Sequence, residues 1–360
     1  MRDDELAGFG DSNAASQAQT GSQLVTGDKG IGTLSGTGSN SKSNASRVSS
    51  GVLSASAGIN SHTPTANSIT ALEVKDPTQN LAPPGTLAAI QSGADIVAGG
   101  DIDVKANELM TGKETLGQVA AGVAGVGAAV DVFSIADNVF AFDNGTNSAG
   151  GNLSVQAILN STVKITALDL SAGFVGLGAG VVVVNDNSVT KATLGSVSKA
   201  QNVSVGADST RSVDEMSGQA SVGAVGAGAT FTRLNIHGST TATVNANAVI
   251  GNLSPVASLS VTAHSTVTAN METDAISAGI GAANANFAFL DADPTIAATI
   301  GDSAKVTSSG ADTVDTTASF DDKAHTFGES AGGLAVGVSL TAGRRSTPPA
   351  RATRRRSCRR

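Results

Sequence analysis

The chain has 360 residues, 43 of them glycine, with no Trp or Tyr and only ten Phe, so any core is built from many small and β-branched side chains rather than a few large anchors. Eight of its 22 basic residues crowd into positions 344–360, which leaves the first 343 residues with 14 basic against 30 acidic groups, a net of −16 within an overall −8. That acidic body, free of aromatic stacking platforms, excludes nucleic-acid binding along its length, and a single cysteine, Cys358, excludes disulfide staples and Cys-based metal sites.

In chain order, the opening "MRDDELAGFG" lacks the charged and apolar regions of a signal peptide. Residues 1–86 are Ser/Gly/Asn-rich with few hydrophobes, a composition compatible with disorder or with degenerate repeats. From Val52 the stretch "VLSASAGINSHTPTANSITALEVKD" regains alternation and reads as a worn copy of the units downstream, and Pro83-Pro84 marks a boundary.

Residues 87–343 are repetitive. The pattern apolar-x-Val-x-Ala occurs as "IDVKA", "LSVQA", "VSVGA" and "LSVTA", with a looser "VDTTA", and its final alanines are Ala106, Ala157, Ala207, Ala263 and Ala318. A Gly/Ala-rich stretch succeeds each copy and aligns Gly122, Gly173, Gly223, Gly279 and Gly332. A third element, "KATLGS", "TATVNA" and "AATIGD", opens the next unit. Self-similarity at a period of about 50 residues is the signature of a repeat architecture.

The glycine stretch "SAGFVGLGAGVVVVNDN" (171–187) has the look of a phosphate loop. A dinucleotide loop needs one strand, one glycine turn and one helix, whereas this stretch has a counterpart in every unit and runs on into β-branched residues. Segments with period-two alternation, separated by Asn, Asp, Gly and Ser, predict strands joined by turns. Even "GKETLGQVAAGVAG", the best helix candidate, is assigned to strand by analogy with its counterparts. The expected fold is all-β: a repetitive parallel β-helix, or β-solenoid, with units of about 50 residues making roughly two coils each. Small residues at corresponding positions would let opposing walls approach closely.

After Gly343 the composition changes to "RRSTPPARATRRRSCRR". Residues 344–360 are expected to lie outside the evolved fold, as a shifted reading frame would produce; the alternative is a basic arm for membranes or nucleic acid.

The units "ATLGSVSKAQNVSVGADSTRSVDEMSGQASVGAVGAGATF" and "ATIGDSAKVTSSGADTVDTTASFDDKAHTFGESAGGLAVGV" resemble the repeats of large bacterial surface exoproteins, the filamentous hemagglutinin-like and leukotoxin-type filamentous adhesins. The resemblance covers about residues 87–343. It implies a right-handed parallel β-helix shaft at the bacterial cell surface or outside the cell, exported by a two-partner or autotransporter route through an outer-membrane secretion partner. It further implies attachment to a host-cell or surface receptor and continuation into neighbouring repeats of a longer chain. On this reading the chain is a non-enzymatic fragment without a cofactor.

The rival class is a β-helix polysaccharide lyase or hydrolase working through clustered carboxylates. Its candidates are Asp291 and Asp293 in "LDADP" and Asp312, Asp315, Asp321 and Asp322 in "DTVDTTASFDD", and the competing expectation is that these are solvated turn residues. His62, His237, His264 and His325 fall at different places in the repeat and are not expected to converge on a metal. Asn-x-Ser/Thr occurs at Asn44, Asn144, Asn152, Asn160, Asn202 and Asn252, as expected in a chain this rich in those residues.

Overall fold

A computed structural model describes residues 85–345; the expectations for residues 1–84 and 346–360 lie outside them. Every described element is a strand. In chain order they are β1 (Thr86–Ile90), β2 (Asp95–Ala98), β3 (Ile102–Ile135), β4 (Asn138–Ala149), β5 (Leu153–Asp186), β6 (Val189–Lys199), β7 (Asn202–Val222) and β8 (Val225–Ile236). They continue as β9 (Ser239–Val244), β10 (Val249–Ile250), β11 (Ser258–Ala278), β12 (Gly281–Ala292), β13 (Thr295–Ile300), β14 (Lys305–Val306), β15 (Asp312–Ala331) and β16 (Leu334–Arg345). The candidate helix around Gly112–Gly125 lies within β3.

The alternation explains the strands. In β7, Val203, Val205 and Ala207 turn inward while Ser204, Asp208 and Thr210 turn outward, which is the pattern of a strand with one face on a core.

All pairing between strands is parallel, in two eight-stranded sheets. Ile102 pairs with Leu153, Leu153 with Val203, Val203 with Leu259, and Leu259 with Asp312. Each partner is therefore 50 to 56 residues along the chain. This corrects the expectation of two coils per unit: a unit contributes one layer. Alternation fixes the face of a strand but not how far along the chain its partner lies.

Within a layer the chain runs outward for about 20 residues, reverses at the recurrent glycine and returns for 12. The two legs are not hydrogen-bonded edge to edge. They face each other through side chains, as where the Ser217 and Thr232 hydroxyls meet at 2.7 Å, while their backbones pair with the layers before and after. The second sheet, from β4, β6, β9, β10, β13 and β14 with β1 and β2, covers the first half of the outgoing leg.

Two apolar clusters result. One sets Ala106, Ala157, Ala207 and Ala263 of the outgoing legs against Ala141, Ala192, Ala242 and Ala298 of the other sheet. The other packs Val163, Ile165, Val213 and Met271 against Val182, Val184, Leu234 and Leu290 of the returning legs. Alanine on both walls of the first cluster lets the sheets close together at native packing density.

At the reversal successive layers come closer still. A Cβ on Gly173, Gly223, Gly279 or Gly332 would fall far inside contact distance of the carbonyl oxygen of the glycine one layer before, Gly122, Gly173, Gly223 and Gly279 in turn. Further in, a long polar side chain on one wall faces a glycine on the other. Asp169 and Gln219 fill the space that a Cβ on Gly178 would need, and Gln219 does the same at Gly228. In the next layer the sizes are exchanged: Asn284 now stands on the returning leg and donates to the carbonyl of Ala275 on the outgoing one at 3.2 Å.

Two other expectations are corrected. Ala263 pairs with Thr316, and Ala318 pairs with Ser265, so the fifth alanine stands two residues out of register with the other four. A two-residue shift preserves the inward face; what fixes the register is Asp312, which accepts from the Leu259 amide at 3.1 Å and the Ser308 hydroxyl at 2.8 Å. The boundary at Gly343 moves as well, because β16 continues to Arg345 and sets Arg344 beside Asp291. Backbone pairing is indifferent to the change in composition.

Gly223→Ala is expected to destabilise the chain by about 1–3 kcal/mol through overpacking against Gly173, read as a lower urea midpoint. Gly281→Ala, where an added methyl meets nothing within 4 Å, should leave the midpoint within about 0.5 kcal/mol of the parent. Equal effects at both positions would contradict the stacked glycine column.

Candidate functional site

The aspartates that suggested carbohydrate chemistry fall in two groups, Asp291 and Asp293 in one layer and Asp312, Asp315, Asp321 and Asp322 on β15 of the next. Asp291 lies on the returning strand β12 between Asn235 and Arg344, and Asp293 comes just after the end of that strand, its amide bonded to the Ile236 carbonyl. Asp312 caps the register of β15 against β11, Asp321 pairs with Lys323 at 3.3 Å on the exposed face, and Asp322 sits in register with Ala269, which belongs to the second apolar cluster. An acid and base need to flank one bond from two sides; Asp291 stands on a returning leg, whereas Asp312, Asp315, Asp321 and Asp322 stand on an outgoing one.

The sequon asparagines serve the ladder. Asn202 Nδ2 donates to Asn152 Oδ1 at 2.9 Å and Ser258 Oγ donates to Asn202 Oδ1 at 2.9 Å, while Asn245 Nδ2 reaches Asn144 Oδ1 at 2.9 Å. Asn160 and Asn252 are exposed, and Asn44 lies outside the described residues.

Among the described residues the histidines do not meet one another; His62 lies outside them. His237 contributes its carbonyl to Arg211, and His264 lies 3.1 Å from Asp208 with both side chains about half exposed. His325 is different: parallel register places it beside Glu272. One donor atom each from Glu272, Asp274 and His325 lies within 4.8 Å of the other two. One imidazole nitrogen and two carboxylate oxygens are the kinds of donor that could hold a divalent transition ion. The spacing of histidines in the sequence carried no sign of this, because the partners come from the layer before.

The unexpected chemistry is inside. Counting by twos from Val203 brings Arg211 and Glu215 to the inner face of β7, and each is only 1% exposed. Arg211 Nη1 donates to the His237 carbonyl and lies 3.6 Å from Asp186 Oδ2, itself 1% exposed. Asp186 also accepts from the Ser188 amide and hydroxyl at 3.0 and 2.6 Å, which holds the bend between legs and second sheet.

Burial pushes the Asp137 carboxyl up to about 6, opposed by a hydrogen bond from Ser161 and assisted by Glu108 and Asp186. Burial pushes Glu215 further, to about 8, with the Ser217 hydroxyl pulling it down and Asp131, Asp214 and Glu272 raising it. Glu215 is therefore protonated at neutral pH. Desolvation likewise raises Asp131, Asp143 and Asp169. Asp143 and Asp169 are buried like Glu215, while Asp131 and Asp137 are half-buried. The "RSVDE" stretch looks like a solvated polar run; only its parity relative to Val203 and Val205 reveals that two charges point inward.

Compared with known proteins, the chain matches no family model, no curated protein and no solved structure.

The raised carboxyls have one sign of linkage. Between pH 4.5 and about 8 the folded state holds a proton on Glu215 that the unfolded chain, at 4.5, releases, so stability falls as pH rises through that window and levels off above it. Thermal melts should accordingly give a lower midpoint at pH 8.5 than at pH 5.5. Glu215→Gln is expected to recover on the order of a few degrees at pH 8.5 and to do little at pH 5.5; an unchanged pH profile would refute the buried, protonated Glu215.

Proposed function

We propose that the described residues form a β-solenoid shaft with one coil per unit of about 50 residues, and that the chain is a segment of a secreted or surface-exposed bacterial adhesin. The observation that carries this reading is the ladder of equivalent positions through five successive layers: Val104, Val155, Val205, Val261 and Val314 are partners in turn. A stack of that kind lengthens by about 4.8 Å per layer along its axis without needing a larger core, which suits a device that holds a binding surface away from a cell. The repeat resemblance supplies the rest: export through an outer-membrane partner and attachment to a host cell or other surface. The dispersal of the candidate aspartates supports a structural role over carbohydrate cleavage.

Beads coated with the full chain are expected to adhere to cultured epithelial cells several-fold above albumin-coated beads, and equally well when Asp291→Asn and Asp293→Asn are combined. Adhesion no greater than that of albumin would count against the adhesin reading. Cleavage of an acidic polysaccharide that disappears in the double variant would replace it with the lyase.

A further inference from the structure

The two outer faces of the arch differ sharply in charge. The outgoing legs show Lys113, Lys164, Asp208, Asp214, Asp321 and Lys323 to solvent. Across the whole outer face of the returning legs, among the described residues, the only charged side chains are Arg233, Asp291 and Arg344, and all three lie at the end away from the reversal. Apart from Ser134, Asn185 and Asn235 at that same end, the remainder is apolar, and toward the reversal it is open: Val126 is 56% exposed, Val225 48% and Val338 53%.

This face has relief. Pairing aligns Val130, Val181, Phe231, Phe287 and Leu340 in one ridge across the layers. Two residues nearer the reversal, Ala128, Ala179, Ala229 and Ala285 form a shallow groove through the first four layers, closed by Val338 in the fifth, and beyond it Val126 and Leu177 raise a second ridge in the first two layers while Ala227 and Ala283 leave the groove wider in the next two. Ridge and groove are one two-residue step apart, about 7 Å. A twofold axis parallel to the stacking direction and midway between them lays the ridge of each copy into the alanine groove of the other. The surface is therefore complementary to itself.

Its size is sufficient. Twelve residues at about 3.3 Å by five layers at about 4.8 Å give roughly 950 Å², against about 800 Å² per partner in a stable interface. We propose that the returning-leg face binds a second copy of this chain, joining two shafts side by side with the same polarity. The inference rests on the shaft reading and extends it to the way two shafts meet.

The test is analytical ultracentrifugation of the full chain, with far-UV circular dichroism on the same samples. The chain should sediment as a dimer that does not grow with concentration, because a twofold contact closes. Ala179→Glu combined with Ala229→Glu places charge in the groove and should weaken the dimer by about 100-fold or more with an unchanged strand-rich spectrum. Should that pair misfold, Val181→Ser with Phe231→Ser removes the ridge and is expected to yield monomer as well. A wild-type monomer at 100-fold the working concentration, open-ended polymers, or a dimer indifferent to both pairs would overturn the proposal. A monomer that floats with phosphatidylcholine vesicles would overturn it in favour of a lipid surface. In each case a retained strand-rich spectrum leaves the shaft itself standing.

Discussion

The parallel backbone ladder between counterparts one unit apart is the constraint on which everything else here depends. Once Ile102 pairs with Leu153 and Leu153 with Val203, every side chain stands above its equivalent. A residue unsuited to a position is then met by its neighbours in two layers at once. Parallel strands cannot be joined by a short hairpin, so the chain must travel a full circuit before it pairs again. That circuit provides the two-legged arch and the second sheet that closes its base.

This stacking produces both the monotony and the exceptions of the sequence. Identical small residues recur where the chain is crowded, between two walls at the alanine columns of the first cluster and between successive layers at the reversal glycines. Where one wall carries a long side chain, the other gives way: glycine at 178 and 228 faces Asp169 and Gln219, and the relation reverses at Ala275 and Asn284. The buried ion pair of Arg211 with Asp186 is a different kind of exception. Desolvation of two such charges is recovered only with good partners; here Ser188 holds Asp186 Oδ1 and the His237 carbonyl takes Arg211 Nη1, while Asp186 Oδ2 and Arg211 Nε and Nη2 are buried without a hydrogen bond. The pair fastens the bend at which a leg passes into the second sheet.

Much of this was legible in the residues. The alanine and glycine columns, the strand character of the whole body and the third element around Ala192, Ala242 and Ala298 all announce themselves by repetition. Ala88 and Ala141 belong to the same column as Ala192, yet their surroundings, "TLAAI" and "VFAFD", have drifted too far to be matched. The number of layers was not legible, because period-two alternation is satisfied by a partner half a unit or a whole unit away. For the same reason Ala318 could slip by two. His325 with Glu272 and Asp274, and Arg211 with Asp186, unite residues from different layers, and such meetings become visible only when the register is known.

That register can be measured directly. With Cys358 replaced by serine, Thr162→Cys and Ser212→Cys place two thiols on the outer face of neighbouring strands in register, within the span a disulfide bridges. Mild oxidation should close an intrachain disulfide in nearly all molecules, and Thr162→Cys with Val189→Cys, about half a unit along, should give none. A failure to form the first bond, or efficient formation of the second, would contradict one layer per unit and with it the whole stack.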